Sequence, residues 1–307
     1  MTQDKFEELK TEADTYWETR SNGNIPLIRI GTAMCGHAAG AYRVADKLKT
    51  VLSDKSIEAN FDEVGCLGLC YAEPLLDIKK PGSPRVFFNN VTPDDIDQII
   101  ESYLIKNVLP ESNVLGYMGE GEVPESADAM ENIPGIALQN RIALRNAGHI
   151  EPSNALQYIA TGGYSGLYKA VTTMEPSEVI DEVKNSGLRG RGGAAFPTGV
   201  KWSFLVGSPG PTKYILCNCE EGDPGAYNDK GILESDPHTL LEGLAIAGYA
   251  TGASNGIVFI RHGHDGPIDR TEAAITEAYE NGLLGAVSYT HLRAHETRHD
   301  LVCRLLL

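Results

Sequence analysis

The hydrophobic positions of the first 109 residues alternate between helical and strand spacing. Apolar residues from Phe6 to Trp17 recur at helical spacing and predict a helical lead-in over residues 1–24. Beyond it, short apolar runs predict strands and longer periodic stretches predict helices, in the order strand 25–30, helix 44–52, strands 58–65, 74–80 and 84–91, and helix 92–104. This order predicts that residues 25–109 form a thioredoxin-like α/β domain.

The remainder of the chain has a second pattern of the same class. Residues 110–135 are rich in glycine, glutamate and proline, which predicts a linker. Residues 136–286 then show helical patterns (138–148, 154–171, 177–184), followed by strand 213–219, helix 238–250, strand 256–262 and helix 268–281. That alternation of strands and helices predicts a Rossmann-like nucleotide-binding α/β domain.

The charge and the cysteine content restrict the partners and the compartment. The 307 residues include 26 lysines and arginines against 42 aspartates and glutamates, a net charge of −16, which argues against nucleic acid or an anionic membrane as partner. No apolar run approaches the roughly 18 residues of a membrane span, and the N-terminus lacks the layout of a signal peptide. We therefore expect a cytoplasmic protein, at most peripheral to a membrane complex, whose six cysteines are thiols or metal ligands.

The last 21 residues differ in composition from the rest. His291, His295 and His299 in this segment would align on one helix face, a spacing that could bind zinc, but no carboxylate or thiol supports them. The string resembles the translated read-through of a sequencing adapter. We therefore expect residues 287–307 not to belong to the fold, treat the chain as a C-terminally truncated fragment, and assign these histidines no function.

Glycines and cations are concentrated in residues 187–202. Five glycines are interleaved there with Arg189, Arg191 and Lys201, and closely spaced glycines let backbone N–H groups approach a phosphate whose charge the cations offset. Phe196 and Phe204 offer flat surfaces for stacking. A flexible surface loop is the alternative, but this density of features favours cofactor binding. The segment is neither a Walker loop nor a dinucleotide fingerprint.

An acidic loop, residues 217–230, follows the predicted strand 213–219. Asn218 can both donate to and accept from a heterocycle edge, and the nearby carboxylates could bind ribose hydroxyls and disfavour a 2′-phosphate, so we expect NAD rather than NADP. We expect Cys217 and Cys219 to face opposite sides of the strand, and hence to be packing residues rather than a metal pair.

These two loops resemble the cofactor motifs of the NADH-oxidising flavoprotein subunit of respiratory complex I and of the related subunits of NAD-linked hydrogenases and formate dehydrogenases. In that family the loops read close to G-R-G-G-A-G-F-P-T-G-L-K-W and C-N-A-D-E-G-E-P-G. The similarity covers roughly residues 139–285. The chain departs mildly from the family pattern at Ala195, Val200, Cys219, Glu220 and Asp223.

The resemblance implies FMN and NAD(H) as cofactors and assigns the site residues. The glycine loop would hold FMN and its phosphate through Gly190, Arg191, Gly192, Gly193 and Lys201. The nicotinamide nucleotide would stack on Phe196 and Phe204 and be held by Asp223, while Asn218, Glu220 and Glu221 would contact the flavin. Hydride transfer to a flavin needs no protein acid or base, so we predict no catalytic residue.

Three N-terminal cysteines, Cys35, Cys66 and Cys70, lie beside glycines in a pattern that suggests thiolates gathered about iron. The domain resembles the thioredoxin-like 2Fe-2S ferredoxins, which have four cysteines; the position about five residues after Cys35 is Gly40. Three thiolates cannot form a Cys₄ cluster. Either His37 supplies a fourth ligand, or the cysteines are buried thiols of a relic domain.

The resulting functional hypothesis is an NADH-oxidising flavoprotein module that passes electrons from NADH through FMN to the iron–sulfur clusters of a larger multisubunit complex. A 4Fe-4S cluster is expected only on a C-terminal cysteine motif that this sequence does not contain. A β subunit of an NAD-dependent hydrogenase or formate dehydrogenase is one alternative, which the fused front domain favours. A non-catalytic ferredoxin-like scaffold that docks partner subunits is the other.

Overall fold

The computed structural model describes residues 3–123, 125, 127–285 and 302–306. The chain divides into two compact units. The first comprises Ala13–Pro152 with Glu234–Asp236, and the second comprises the rest of the chain. None of the helices in these ranges is long and apolar enough to cross a bilayer.

The first unit is built on a mixed five-stranded sheet with the order β2-β1-β3-β4-β5. Strand β1 pairs parallel with β2, and the other neighbours pair antiparallel. This mixed sheet fits the predicted thioredoxin-like α/β class, and β5 is a strand that the sequence pattern did not predict. The elements, with the lead-in helix α1, are α1 Gln3–Asn22, β1 Leu27–Gly31, α2 Met34–Ala39, α3 Ala41–Asp54, β2 Asn60–Val64, β3 Leu76–Lys79, β4 Arg85–Phe88, α4 Ile96–Ile99, β5 Val114–Met118 and α5 Pro134–Ala137.

Helical and strand spacing account for the core of this unit. The face of α3 that carries Val44, Leu48 and Val51 is buried against the apolar side chains of the sheet, as their spacing predicts. Thr92 and Asp95 form a reciprocal capping box at the start of the last helix, and Pro93 occupies its first turn. That helix continues beyond α4 as a π-helical turn, Ile100–Ile105.

A buried charge network crosses the sheet. The Asp77 carboxylate accepts from the Arg29 guanidinium (3.2 Å) and from two nitrogens of Arg85 (3.0 and 2.6 Å). Arg85 also donates to the Gly148 carbonyl (2.8 Å) and to Nδ1 of His149 (2.7 Å). Burial, together with the nearby arginines, lowers the pKa of His149 to about 3, so the ring is neutral and can accept.

Two segments of the first unit differ from their sequence-based predictions. The predicted linker 110–135 contains β5, whose residues pair with β4 across a register shift. The glycine-rich, acidic composition of this segment gives no hydrophobic signal for a strand. An edge strand pairs through its backbone groups and does not require hydrophobic side chains. The stretch 138–148, predicted as helix, forms a series of turns instead.

The second unit contains a three-stranded sheet with the order β6-β7-β8 among its described residues. Parallel β6 and β7 are joined through two helices, which is the predicted βαβ unit, and β8 pairs antiparallel with β7. Helices α9 and α10 were not predicted. The elements are α6 Ala155–Ala160, α7 Ser165–Thr173, α8 Pro176–Asn185, α9 Thr198–Gly207, β6 Tyr214–Cys219, α10 Asn228–Ser235, α11 Pro237–Thr251, β7 Asn255–Ile260, α12 Asp265–Glu280 and β8 Val302–Leu306.

Most of the segment 287–307, which we expect not to belong to the fold, lies outside the described residues, and so do its three histidines. Strand β8 is the part of it that the structure describes.

His238, the second residue of α11, is fully buried in the second unit. Its Nε2–H donates to the Ser153 carbonyl (3.2 Å), so its Nδ1 accepts from the Tyr164 hydroxyl (2.9 Å). Its ring stacks on Tyr158, with 5.6 Å between ring centroids. Burial lowers the pKa of His238 to about 4.

We expect the free energy of unfolding to fall as the pH is lowered from 6.5 towards 4. In this window the unfolded chain protonates His238 and the folded protein does not, which contributes a slope of up to about 1.4 kcal/mol per pH unit. Urea unfolding at several pH values should show a shallower slope for His238→Gln. The control is His262→Gln at an exposed histidine. Equal slopes for wild type and His238→Gln would contradict the assignment.

Candidate functional site

The glycine-rich segment forms a closed loop between α8 and α9. The Gly190 N–H donates to the Phe196 carbonyl (2.9 Å), and the Thr198 N–H donates to the Leu188 carbonyl (2.9 Å). An isolated antiparallel bridge between Arg189 and Pro197 joins the same two arms. These bonds hold the residues between the arms out from the unit as an exposed turn.

Two glycines at the tip of this loop have no role that the chain itself explains. A Cβ on Gly192 or Gly193 would meet no heavy atom within 4 Å, and neither residue is among those with a left-handed φ. Gly199 is different, because a Cβ there would lie 2.6 Å from the Lys184 side chain, so that glycine is needed for helix packing. The open backbone at the tip is the arrangement that admits a close-lying phosphate.

Aromatic and cationic groups surround the tip. Phe196 and Phe204 are 44% and 63% exposed, with ring centroids 6.1 Å apart, so both present free faces. The side chains of Arg191 and Lys201 are exposed as well. The structure therefore keeps the predicted stacking and phosphate-binding groups accessible on one loop and the helix that follows it.

The acidic loop begins where β6 ends. Oδ1 of Asn218 accepts from the Glu220 N–H (2.9 Å), and Glu220 forms an ion pair with Arg261 (2.9 Å), which directly follows β7. Sequence reasoning did not identify Arg261; its position just after the second parallel strand is the signal that could have done so. Asp223 is exposed.

Glu221 has a structural task in the same loop. Its carboxylate accepts from the backbone N–H groups of Asn228 (2.6 Å), Asp229 (3.1 Å) and Lys230 (3.1 Å) at the start of α10. Burial alone would raise the pKa of Glu221, but these three bonds outweigh it and the pKa lies below its usual value. Glu221 therefore holds the loop in place, and direct contact with flavin stays a prediction.

Cys217 and Cys219 lie on the same face of β6, so our expectation that they face opposite ways was wrong. Residues two apart on a strand point to the same side. Along β6, burial alternates so that both cysteines face inward, and their Sγ atoms lie 3.6 Å apart. No third metal-ligating side chain joins them within the described ranges.

The family model described as the Nuo51 FMN-binding domain matches residues 183–303, which include both loops. The resemblance that the loops predict is confirmed. The chain is 53% identical over 147 residues to the NADP-reducing hydrogenase subunit HndC of Solidesulfovibrio fructosivorans, covering 48% of this chain and 30% of that protein. It is 42% identical over 130 residues to a subunit of the NADH-quinone oxidoreductase of Escherichia coli, covering 42% and 29%.

The chain thus spans about a third of the length of these curated relatives. Similar solved structures include an NAD+-reducing NiFe hydrogenase, with a TM-score of 0.38, 22% identity and coverage of 91% of this chain and 45% of that one. A thioredoxin-like 2Fe-2S ferredoxin from Aquifex aeolicus has a TM-score of 0.28, 15% identity and coverage of 33% and 98%.

The three N-terminal cysteines lie in the first unit, just after the parallel strands β1 and β2. The Cys35 thiol donates to the Cys70 Sγ (2.9 Å), and the Cys66 thiol lies 3.6 Å from Oε1 of Glu73. Burial raises the pKa of Cys35 to about 12 and raises that of Cys66 as well. Metal binding here would therefore release protons.

The cysteines fit an iron–sulfur cluster only in part. A 2Fe-2S cluster needs two protein ligands on each iron. Cys35 and Cys70 form one such pair, and among the described residues the polar side chain in contact with the Cys66 thiol is the Glu73 carboxylate. His37, the predicted fourth ligand, packs edge-on against the Tyr42 ring with 4.9 Å between ring centroids.

Replacing Ala195 by glycine should stabilise the protein. Ala195 has φ +45°, which lies in the left-handed region, and the family that the chain resembles has glycine at this position. Relief of that strain exceeds the entropic cost of glycine, so we expect about 0.5 kcal/mol or more in chemical unfolding. Ala194→Gly is the control, since Ala194 is not among the left-handed residues and its replacement should not stabilise. Equal effects of the two substitutions would contradict the strain argument.

Proposed function

We propose that the second unit binds FMN at the glycine loop and takes part in oxidation of NADH, with electrons passed to iron–sulfur clusters of a larger, cytoplasmic complex. The observation that carries this proposal is the open backbone at Gly192 and Gly193, which no contact within the described chain requires, in a segment that also exposes Arg191 and Lys201. The match of residues 183–303 to an FMN-binding domain supports it.

Each group of the site has a distinct task in this proposal. The backbone at Gly190, Gly192 and Gly193 lies against the phosphate, and Arg191 and Lys201 offset its charge. Phe196 and Phe204 stack on the nicotinamide nucleotide. Their apolar rings also exclude water from the side on which hydride is transferred.

The acidic loop completes the site. The ion pair with Arg261 fixes Glu220 beside Asn218, so both present polar groups at the end of β6, while Glu221 keeps the loop on α10. The exposed Asp223 binds a ribose hydroxyl of NADH. When bound, FMN accepts hydride and releases electrons singly; the protein supplies orientation and electrostatics.

A hydrogenase-linked complex is the second candidate for the parent assembly. The 53% identity to an NADP-reducing hydrogenase subunit supports it, beside the 49% identity to an NADH-quinone oxidoreductase subunit of Rhizobium meliloti. The flavin chemistry would be the same in both assemblies, and only the electron acceptor would differ. In either assembly the partners are NADH and other subunits. A docking scaffold without flavin would be supported if the protein bound iron but no FMN.

Alanine at Gly192 and Gly193 should weaken FMN binding. Two added methyl groups would stand where the phosphate approaches, so we expect at least about a tenfold higher Kd in a titration followed by flavin fluorescence, equivalent to about 1.4 kcal/mol. Gly243→Ala is the matched control, because Gly243 is exposed in α11 and also has no atom within 4 Å of its would-be Cβ. Undiminished FMN binding by the double variant, or none by the wild type, would overturn the assignment of this loop.

NADH should bleach the flavin absorbance of the FMN-loaded protein, and NADPH should do so at least about tenfold less efficiently because Asp223 repels a 2′-phosphate. Asp223→Asn should reduce the preference for NADH over NADPH. Asp269→Asn, at an exposed aspartate on α12, should leave it unchanged. A flavin-loaded protein inert to NADH would exclude NADH oxidation by this chain.

A further inference from the structure

We propose that the Glu73 carboxylate is the fourth protein ligand of a 2Fe-2S cluster in the first unit, together with Cys35, Cys66 and Cys70. The inference takes up the cluster alternative that the three cysteines raise in the sequence, and it rests on the proposed function of passing electrons to iron–sulfur clusters. It names the ligand that three cysteines alone do not supply.

The four side chains form two close pairs that are electrostatic neighbours, since Cys66 interacts with Cys70 and Cys35, and Cys35 interacts with Glu73. Cys35 and Cys70 lie 2.9 Å apart at their Sγ atoms, and Cys66 Sγ lies 3.6 Å from Glu73 Oε1. Each iron of a 2Fe-2S cluster takes two protein ligands. In the described part of the chain, no three metal-ligating side chains surround a common point, and the proposal rests on the two contacts above.

The Glu73 carboxylate is directed towards the segment that carries Cys35. A Cβ added to Gly31, at the end of β1, would lie 3.2 Å from both oxygens of Glu73, and a Cβ on Gly36 would lie 3.2 Å from Oε2. Gly36 is the immediate neighbour of Cys35 in α2. The two glycines therefore leave the space in which Glu73 reaches from Cys66 towards α2.

Glu73 is also a buried carboxylate without a compensating cation in the described ranges. The residue is 6% exposed, and the groups that act on its carboxylate are the Leu75 N–H (2.8 Å) and the Cys66 thiol. A buried carboxylate is costly unless it is paired or coordinates a metal. Asp77, buried nearby in the sequence, has two arginines instead. Iron would supply the positive charge that Glu73 lacks.

His37 is the other candidate for the fourth ligand. Among the described residues it has no thiol contact like that of Glu73 with Cys66. Its ring packs against Tyr42. The glycine at position 40 has φ +95° and ends α2, so it belongs to a turn rather than to a ligand position. The spacing Cys66-x₃-Cys70-x₂-Glu73 brings the carboxylate into the loop that carries two of the thiols.

The test is anaerobic reconstitution of the full chain with ferrous iron and sulfide, followed by iron and sulfide analysis and electron paramagnetic resonance of the reduced protein. We expect a 2Fe-2S signal from the wild type. Glu73→Gln, which keeps the shape of the side chain but removes its charge, should lower the cluster yield about tenfold or more. His37→Ala should leave the yield and signal unchanged.

Glu73→Cys distinguishes lost ligation from lost folding. A cysteine there would restore four thiolates, so we expect a stable cluster with a changed resonance spectrum. A wild-type spectrum and yield in Glu73→Gln would overturn the assignment of Glu73 while leaving the iron–sulfur role intact. Absence of any cluster in the wild type and in Glu73→Cys would overturn both, and would leave the FMN proposal standing, because FMN titration measures that site separately.

Discussion

Parallel pairing of two strands is the constraint on which the thiol site of the first unit and the acidic loop of the second unit depend. The carboxyl ends of parallel strands lie at the same edge of a sheet, so residues that follow them are brought together whatever their separation in sequence. In the first unit β1 and β2 end at Gly31 and Val64, and Cys35 and Cys66 follow within a few residues. The thiols therefore gather at one edge because of strand direction.

The second unit uses the same arrangement for a different cofactor chemistry. Strands β6 and β7 pair parallel in register up to Cys219 and Ile260. The residues that directly follow these two strands, Glu220 after β6 and Arg261 after β7, are charged and form an ion pair. This pair and the capping carboxylate of Glu221 give the acidic loop a fixed shape, whereas the glycine loop gains its accessibility from having few contacts.

Two buried carboxylates of the first unit, Asp77 and Glu73, differ in how their charge is compensated. Asp77 is enclosed by two arginines that tie β1, β3 and β4 together, so its charge is compensated within the sheet. Among the described residues, the groups that compensate Glu73 are hydrogen-bond donors, at the edge where the thiols gather. A charge that the protein itself leaves uncompensated is the feature expected of a metal-binding position.

Local patterns along the chain were enough to establish the α/β class, the strands β1 to β4, β6 and β7, the buried face of α3, and the two loops with their family resemblance, because each rests on periodicity or on a short motif. The folded arrangement adds that β5 completes the first sheet, that Glu221 caps α10, and that Glu73 lies beside the Cys66 thiol. That Cys217 and Cys219 share a face follows from their spacing on a strand, and the structure adds that their Sγ atoms are in contact. Some of these contacts join residues close in sequence and others join separate strands, but each depends on the path that the backbone takes in three dimensions. That information lies in strand pairing and helix placement, which no local pattern of residues contains.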